Sequence, residues 1–269
     1  MTVAEAADFA DAVATATERS LGPAPEWRPG EIVDDRSPAL SAALAEIGWL
    51  DLARDPELAP LAGAAAVGLG RRLAPLAEVD ALLGGSPLAG DLMRYGPRAA
   101  YDDTGIAVAA GGARVLVERS EPVAYGDALG VHRVCASSRD GRVGPAALAA
   151  WTAASTGYLA GLCGWALDTT LDHVRSRRAF DTTLAGLAPV QQQLADAATA
   201  TRGLLLLAGE PPAPAALAHA GEAAVAVTAT CQQLAGAVGF TLEFPLQRAY
   251  RRARAAQLWA DALLTAPSR

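Results

Sequence analysis

From Val143 to Leu167 the chain reads "VGPAALAAWTAASTGYLAGLCGWAL" and carries no charged residue. A run of that length can cross a bilayer, or it can be a helix with no solvent-facing side. Alanine, glycine, threonine and serine fill most of it, and few of its residues insert strongly into lipid. Arginines flank it on both sides, so no membrane orientation is specified. A helix buried all round, inside a bundle or at a subunit interface, fits this composition better.

The C-terminal part of the chain agrees with a bundle. Helices are predicted from Pro145 to about Arg178, Pro189 to Ala208, Pro214 to about Ala237, and Pro245 to about Leu264. Each has a proline at or near its start, where the missing N–H costs nothing. Before this region, residues 2–20 have helical character and "GPAPEWRPGE" breaks them. A second helix starts at Ser37, whose side chain can cap it ahead of Pro38, and ends near "EIGWLDL". A third covers residues 58–76. "GGSPLAG" interrupts, and a short helix is expected before Tyr95. From Ile106 the period changes: "IAVAAGGARVLVERSEPVAY" reads as two strands around Gly111-Gly112, and "VHRVCASSRDGRVG" adds a third strand and a turn. The expected organisation is mainly α: an N-terminal helical region (1–92), a reduced β region (93–143) and a C-terminal four-helix bundle (144–269).

Bulk properties exclude several classes. The 269 residues carry a net charge of −7, with a pI near 5.0, against a nucleic-acid binder. Cys135, Cys163 and Cys231 form no C-x-x-C pair, which fits ordinary thiols in a reducing compartment. His132, His173 and His219 lack metal-ligand spacing. The start, "MTVAEAADFADAV", has acids where a signal peptide has basic residues, so a cytoplasmic location is expected. "GGSPLAG" has Leu88 where a nucleophile elbow needs glycine. "VGLGRR" has too few glycines, and no strand before it, for a dinucleotide fold.

Two stretches are more specific. "HVRSRRAFDTTLAGLAPVQQQLAD", His173 to Asp196, sets Arg177 three residues before Phe180 at a helix end. "QLAGAVGFTLEFPLQRAYRRAR", Gln233 to Arg254, places Gly236 and Gly239 where one helix ends and the next begins. On spacing alone these read as a solvated helix end, a C-cap with a new helix start, and a solvated face bearing Arg248, Arg251, Arg252 and Arg254. Small residues at such a turn also let a ligand or another backbone come close.

Together the two stretches resemble the C-terminal helical domain of the acyl-CoA dehydrogenases, which typically shows "Y-x-x-x-R-x-x-F-G…F-Q-x-x-Q-x-x-L-A-D" and later "Q-x-x-G-G-x-G-F-T-x-E". "LAEIGWLDL" and "GLGRRLAPL" resemble the family's N-terminal helices. In this family FAD sits at a subunit interface: one subunit's β domain holds the ring, and its neighbour grips the pyrophosphate and adenosine. The resemblance implies that Arg177 is a bidentate phosphate partner, that Phe180 packs on the cofactor, and that Gln191, Gln233 and Gly236 line the rest.

It also exposes departures. Asp181 replaces the glycine after phenylalanine, Ala188 the first glutamine, and Ala237 the second glycine of the turn. The family's base, a carboxylate that abstracts the α-proton of an acyl thioester, would fall on Trp151 or on Ala260. Asp261 lies beside Ala260 but about 100° away around a helix. The flavin-ring loop, "T-E-x-x-x-G-S-D", has no counterpart between Leu88 and Gly144, and the β region looks too short for a small barrel. The expectation is a truncated subunit that completes an FAD site for α,β-dehydrogenation of acyl-CoA, or another acyl thioester, with a full-length acyl-CoA dehydrogenase partner. Electron-transferring flavoprotein would be the electron acceptor. The alternatives are a self-sufficient homo-oligomeric flavoenzyme and a flavin-free scaffold or acyl-carrier-binding bundle.

Overall fold

A computed structural model describes residues 3–22, 26, 28–97, 105–179 and 181–265. Its first three helices are α1 (Val3–Ser20), α2 (Pro38–Glu46) and α3 (Ala59–Arg71), close to the sequence expectation. Ser37 caps α2 as anticipated, its hydroxyl accepting from the Leu40 N–H at 3.3 Å. A single turn, α4 (Ala77–Asp80), comes after α3.

Five strands come next: β1 (Ser86–Ala89), β2 (Leu92–Met93), β3 (Ile106–Ala109), β4 (Ala113–Pro122) and β5 (His132–Arg142). They close into a barrel in the order β1-β2-β5-β4-β3, sealed by parallel pairing of β1 with β3, Ser86 opposite Ala107. The expected hairpin at Gly111-Gly112 and the third strand are present, both glycines at positive φ (65° and 77°). Two expectations are corrected. The β region is not too short for a barrel, and no helix lies between "GGSPLAG" and Tyr95, because residues 86–93 supply the two missing strands. β1 has four residues and β2 only two. At that length alternation carries no signal, and "GGSPLAG" reads as a turn.

The bundle consists of α5 (Pro145–Ser176), α6 (Ala188–Leu207), α7 (Pro214–Ala235) and α8 (Leu246–Leu264). A two-residue-strand hairpin, β6 (Arg178–Ala179) with β7 (Thr182–Thr183), lies between α5 and α6. Every residue of α5 from Ala150 to Gly164 is buried, as the charge-free run suggested, and the burial is inside this chain. The glycines explain the small-residue content. A Cβ on Gly157 would collide with the carbonyl oxygen of Gly63, one on Gly161 with that of Val67, and one on Gly70 with that of Tyr158. Helices α3 and α5 therefore meet backbone to backbone, which only residues without side chains permit. The hydroxyls of Thr152, Thr156 and Thr170 are satisfied by carbonyls one turn back. Among the described residues one helix, Pro214–Phe240, is long and apolar enough to cross a membrane by length and composition. Its stripe of Leu217, Ala220, Ala224, Val227 and Cys231 is buried in the core shared with α5 and α8.

One residue of α8 departs from the solvated arginine face. Arg252 is only 1% exposed and sits at the junction of all three regions. Its Nη2 meets Asp35 Oδ2 at 2.5 Å, its Nε meets Asp127 Oδ2 at 3.1 Å, and its Nη1 donates to the carbonyls of Leu73 (2.6 Å) and Ala74 (3.0 Å). Burial opposes its charge, but Asp127, Tyr158 and Asp35 outweigh it, holding the guanidinium well above its ordinary pKa. Tyr95 joins the network, donating to Asp35 Oδ1 at 2.7 Å and accepting from the Leu76 N–H. Leu73 (φ 48°) and Tyr95 (φ 55°) both occupy the left-handed region, which costs bulky residues about 1–3 kcal/mol each. The hydrogen bonds to Arg252 and Asp35 hold them there.

Candidate functional site

The two motif stretches converge at one end of the bundle. His173, in the last turn of α5, packs edge-on against Phe244, just beyond the glycine turn, with ring centroids 5.3 Å apart. Arg177 is the C-cap of α5, and its N–H donates to the His173 carbonyl at 2.9 Å. Its guanidinium is exposed and makes no hydrogen bond or ion pair with any described residue. Phe180 lies outside the described residues. Asp181 has φ 64°, which explains why glycine suits this position and why aspartate, tolerant of the left-handed region, can replace it. Its carbonyl accepts from Arg178 Nη2 at 2.8 Å. Gln191 is exposed, and its amide nitrogen is engaged by the Ala185 carbonyl at 2.9 Å.

The second stretch borders an open cavity of about 420 Å³. Gln233 lines it together with Gln232, Phe240, Gln247, Tyr250 and Arg251. Gly236 ends α7 with φ 69° and ψ −152°, a combination essentially restricted to glycine. Nothing lies within 4 Å of the place a Cβ would occupy, so this backbone is bare to an approaching group. The side-chain oxygen of Gln247 is buried here without a partner among the described residues. Phe240 is 59% exposed and Leu242 43%, an apolar rim beside the turn. Tyr250 and Gln247 lie beyond the glycine-turn motif, and Phe240, which stands at the motif's phenylalanine, was not singled out by sequence. The one signal for them is their place on the turn and first helical rounds beyond Gln233.

Trp151 and Ala260, where the family resemblance leads one to expect a base, lie elsewhere, in the interior. Trp151 is 1% exposed and its Nε1–H donates to Asp80 Oδ1 at 3.1 Å. Asp80 in turn holds Arg94 through two contacts, at 2.8 and 2.5 Å. Arg94 lies 5.7 Å from the centroid of Trp259, whose indole N–H donates to the Leu92 carbonyl. Ala260 is buried beside Trp259, while Asp261 is exposed and its backbone carbonyl accepts from the N–H and hydroxyl of Thr265. Two tryptophans and an ion pair thus occupy the space around both positions. Burial, reinforced by Glu222, raises the Asp261 carboxyl pKa, yet that carboxyl does not face the interior.

A carboxylate that sequence reasoning passed over does border a cavity, of about 360 Å³, next to Asp80. Glu78 is 3% exposed; Ser41 Oγ donates to its Oε1 at 2.8 Å, and Trp49 donates to its carbonyl. Burial, opposed by the Ser41 hydrogen bond, raises its pKa from 4.5 to about 7. The folded state therefore favours the neutral acid. This contribution is complete below pH 4.5, falls as the pH rises through about 7, and amounts to on the order of 3 kcal/mol. In Glu78→Gln the loss of stability between pH 5 and pH 8 should shrink by about that amount in urea melts. Equal slopes for variant and wild type would contradict the assignment.

Comparison with known proteins places these features. Residues 147–260 match the family model "Acyl-CoA dehydrogenase, C-terminal domain". The short-chain specific acyl-CoA dehydrogenase of mitochondria from Sus scrofa is 34% identical over 113 residues, 37% of this chain and 27% of that protein. The chain thus aligns with about a quarter of the length of that curated relative. The ChsE4-ChsE5 complex from Mycobacterium tuberculosis superposes with a TM-score of 0.61 at 19% identity, covering 97% of this chain and 94% of that one. Butyryl-CoA dehydrogenase from Megasphaera elsdenii gives 0.61 at 17% identity, covering 97% and 95%. At these identities the likeness is one of fold, and it embraces the N-terminal helices, the barrel and the bundle.

Proposed function

We propose, from the match of residues 147–260 to the C-terminal domain of the acyl-CoA dehydrogenases, that the chain is a subunit completing the FAD site of a full-length acyl-CoA dehydrogenase partner. The observation that carries this reading is a contrast. The surface that would meet a neighbour's cofactor keeps its cation unpaired among the described residues and its glycine turn bare, whereas both expected base positions inside the chain are occupied by Trp151 and Ala260. Arg177 would hold the pyrophosphate. Gln233, Gly236 and the amide-rich cavity with Tyr250 would take the adenosine, and Gln191 and Phe180 would complete the grip. The free guanidinium, the orphaned Gln247 oxygen and the bare backbone at Gly236 fit that end of the cofactor. The space around Trp151, Trp259 and Arg94 does not fit the flavin ring.

FAD, when bound, supplies the hydride acceptor for dehydrogenation of an acyl thioester. The partner contributes the base, the ring pocket and the thioester site, and electrons pass on to an electron-transferring flavoprotein. The exposed Phe240 and Leu242 beside the turn suit burial under a second subunit, and one structure of the same fold is the ChsE4-ChsE5 complex. A second reading, a self-sufficient homo-oligomer with its own carboxylate, is favoured by one observation, the cavity-lining Glu78.

The test is co-expression with a full-length acyl-CoA dehydrogenase subunit, then purification of the complex. Removing a charge-assisted phosphate contact costs roughly 1.5–3 kcal/mol, or about tenfold to a hundredfold in affinity. Arg177→Ala should therefore lose most of its flavin on dilution while the two chains still co-purify. An Arg177→Ala complex that retains flavin as tightly as wild type contradicts the proposed grip.

A further inference from the structure

A separate cavity of about 440 Å³ opens between the α1–α2 connection, the end of α3, and helices α5 and α8. Its walls include Leu73, Pro38, Pro75 and Trp165, an apolar surface with an aromatic plate. Two hydrogen-bond donors on this lining are unused. Neither the guanidinium of Arg248 nor the indole N–H of Trp165 has a hydrogen-bond partner among the described residues. Arg248 is only partly exposed. Burial and the nearby Arg252 guanidinium work against its charge, and Asp127 and Asp35 offset them only in part, so its pKa lies below the ordinary arginine value.

The two carboxylates on the same lining are already committed. Asp34 is held by Arg36, with contacts at 2.5–3.0 Å, and Asp35 by Arg252 and Tyr95. Arg72 is paired with Glu18. Arg248 is thus the lining cation left without a counter-ion among the described residues. A half-buried cation beside an apolar wall is best satisfied by an anion that brings its own apolar body. The cavity volume lies in the range of small-molecule sites. Leu73 lines this cavity from a left-handed backbone that Arg252 clamps through the Leu73 carbonyl, so this part of the wall is preformed.

We infer that this cavity is a binding site for an amphipathic carboxylate, its head on Arg248 and the Trp165 N–H and its apolar chain along Leu73, Pro38 and Pro75. It shares no lining residue with the cavity at Gln233, and the inference stands whether or not the chain serves a partner's flavin.

Decanoate is a suitable probe, with decanol as the uncharged control, titrated below micellar concentration into the full chain or its co-purified complex. Saturable decanoate binding is expected, with a change in tryptophan fluorescence and at least roughly tenfold weaker binding of decanol. Arg248→Gln should weaken decanoate by a similar factor while leaving decanol unchanged. Trp165→Phe keeps the aromatic wall, and should abolish most of the fluorescence change while weakening decanoate only modestly. Arg177→Ala should not alter decanoate binding at all. The inference is overturned if decanoate does not saturate, if decanol binds equally well, or if Arg248→Gln, melting like wild type, binds decanoate undiminished. Should Arg248→Gln unfold, Trp165→Phe decides the matter, because an unchanged fluorescence response would place the ligand elsewhere.

Discussion

Arg252→Met should lower Tm by about 10 °C, the largest effect expected of any single substitution in α8. The methionine fills most of the volume but leaves Asp35 and Asp127, 4% and 5% exposed, without the cation that pairs with both. Breaking one side of a buried ion network costs about 3–5 kcal/mol, and each kcal/mol shifts a chain of this size by about 2–4 °C. The carbonyl of Leu73 loses its donor as well, while that of Ala74 keeps the Tyr158 hydroxyl. Arg252→Lys should recover little, since one ammonium cannot span four acceptors arranged for a planar fork. Adding Asp35→Asn and Asp127→Asn to Arg252→Met should restore much of the loss, because the penalty lies in the stranded charges. A triple variant no more stable than the single one would show that Arg252 acts by packing rather than by charge.

Gly157→Ala should destabilise by about 3 kcal/mol or more, although alanine is the better helix former. The added methyl would occupy the position of the Gly63 carbonyl oxygen, so α3 and α5 must separate along their whole glycine-lined contact. Overpacking of a well-packed core typically costs about 1–3 kcal/mol, and here the obstruction is backbone, which cannot rotate away. Gly203→Ala supplies the control. It lies on the exposed side of α6 with nothing within 4 Å of the new Cβ, and should stabilise by about 0.5–1 kcal/mol. Opposite signs for the same chemical change, read in urea melts, would tie the small residues of the charge-free stretch to helix contact. Equal signs would refute that explanation.

These two sites mark what the sequence does and does not disclose. The bundle was legible because each helix is long and headed by proline, and because a stretch without charge can only be buried. The barrel was not, since β1 and β2 are too short for alternation to register and closure depends on the pairing of Ser86 with Ala107, twenty-one positions along the chain. The role of Arg252 was hidden among four arginines. Only burial separates it from Arg254, and burial depends on Asp35 and Asp127, which reach it from distant loops. Asp80 and Glu78 were passed over for the same reason, as acids in a short turn that the fold happens to enclose. At the candidate site the motif residues stood out because their spacing matches a family pattern. Tyr250 and Gln247 did not, because they line a cavity that only the tertiary structure creates. Trp151 at a base position was visible in sequence, but its hydrogen bond to Asp80 was not.

On the proposed reading this chain serves a neighbour's cofactor and has no flavin site of its own. The most direct test is the flavin content per chain of the protein purified alone and after co-expression with a full-length acyl-CoA dehydrogenase. Colourless protein is expected alone, with FAD only in the complex, bound at one per full-length subunit. Stoichiometric FAD in the chain purified alone would contradict that reading, and would mean that the space around Trp151 and Trp259 opens to admit a ring.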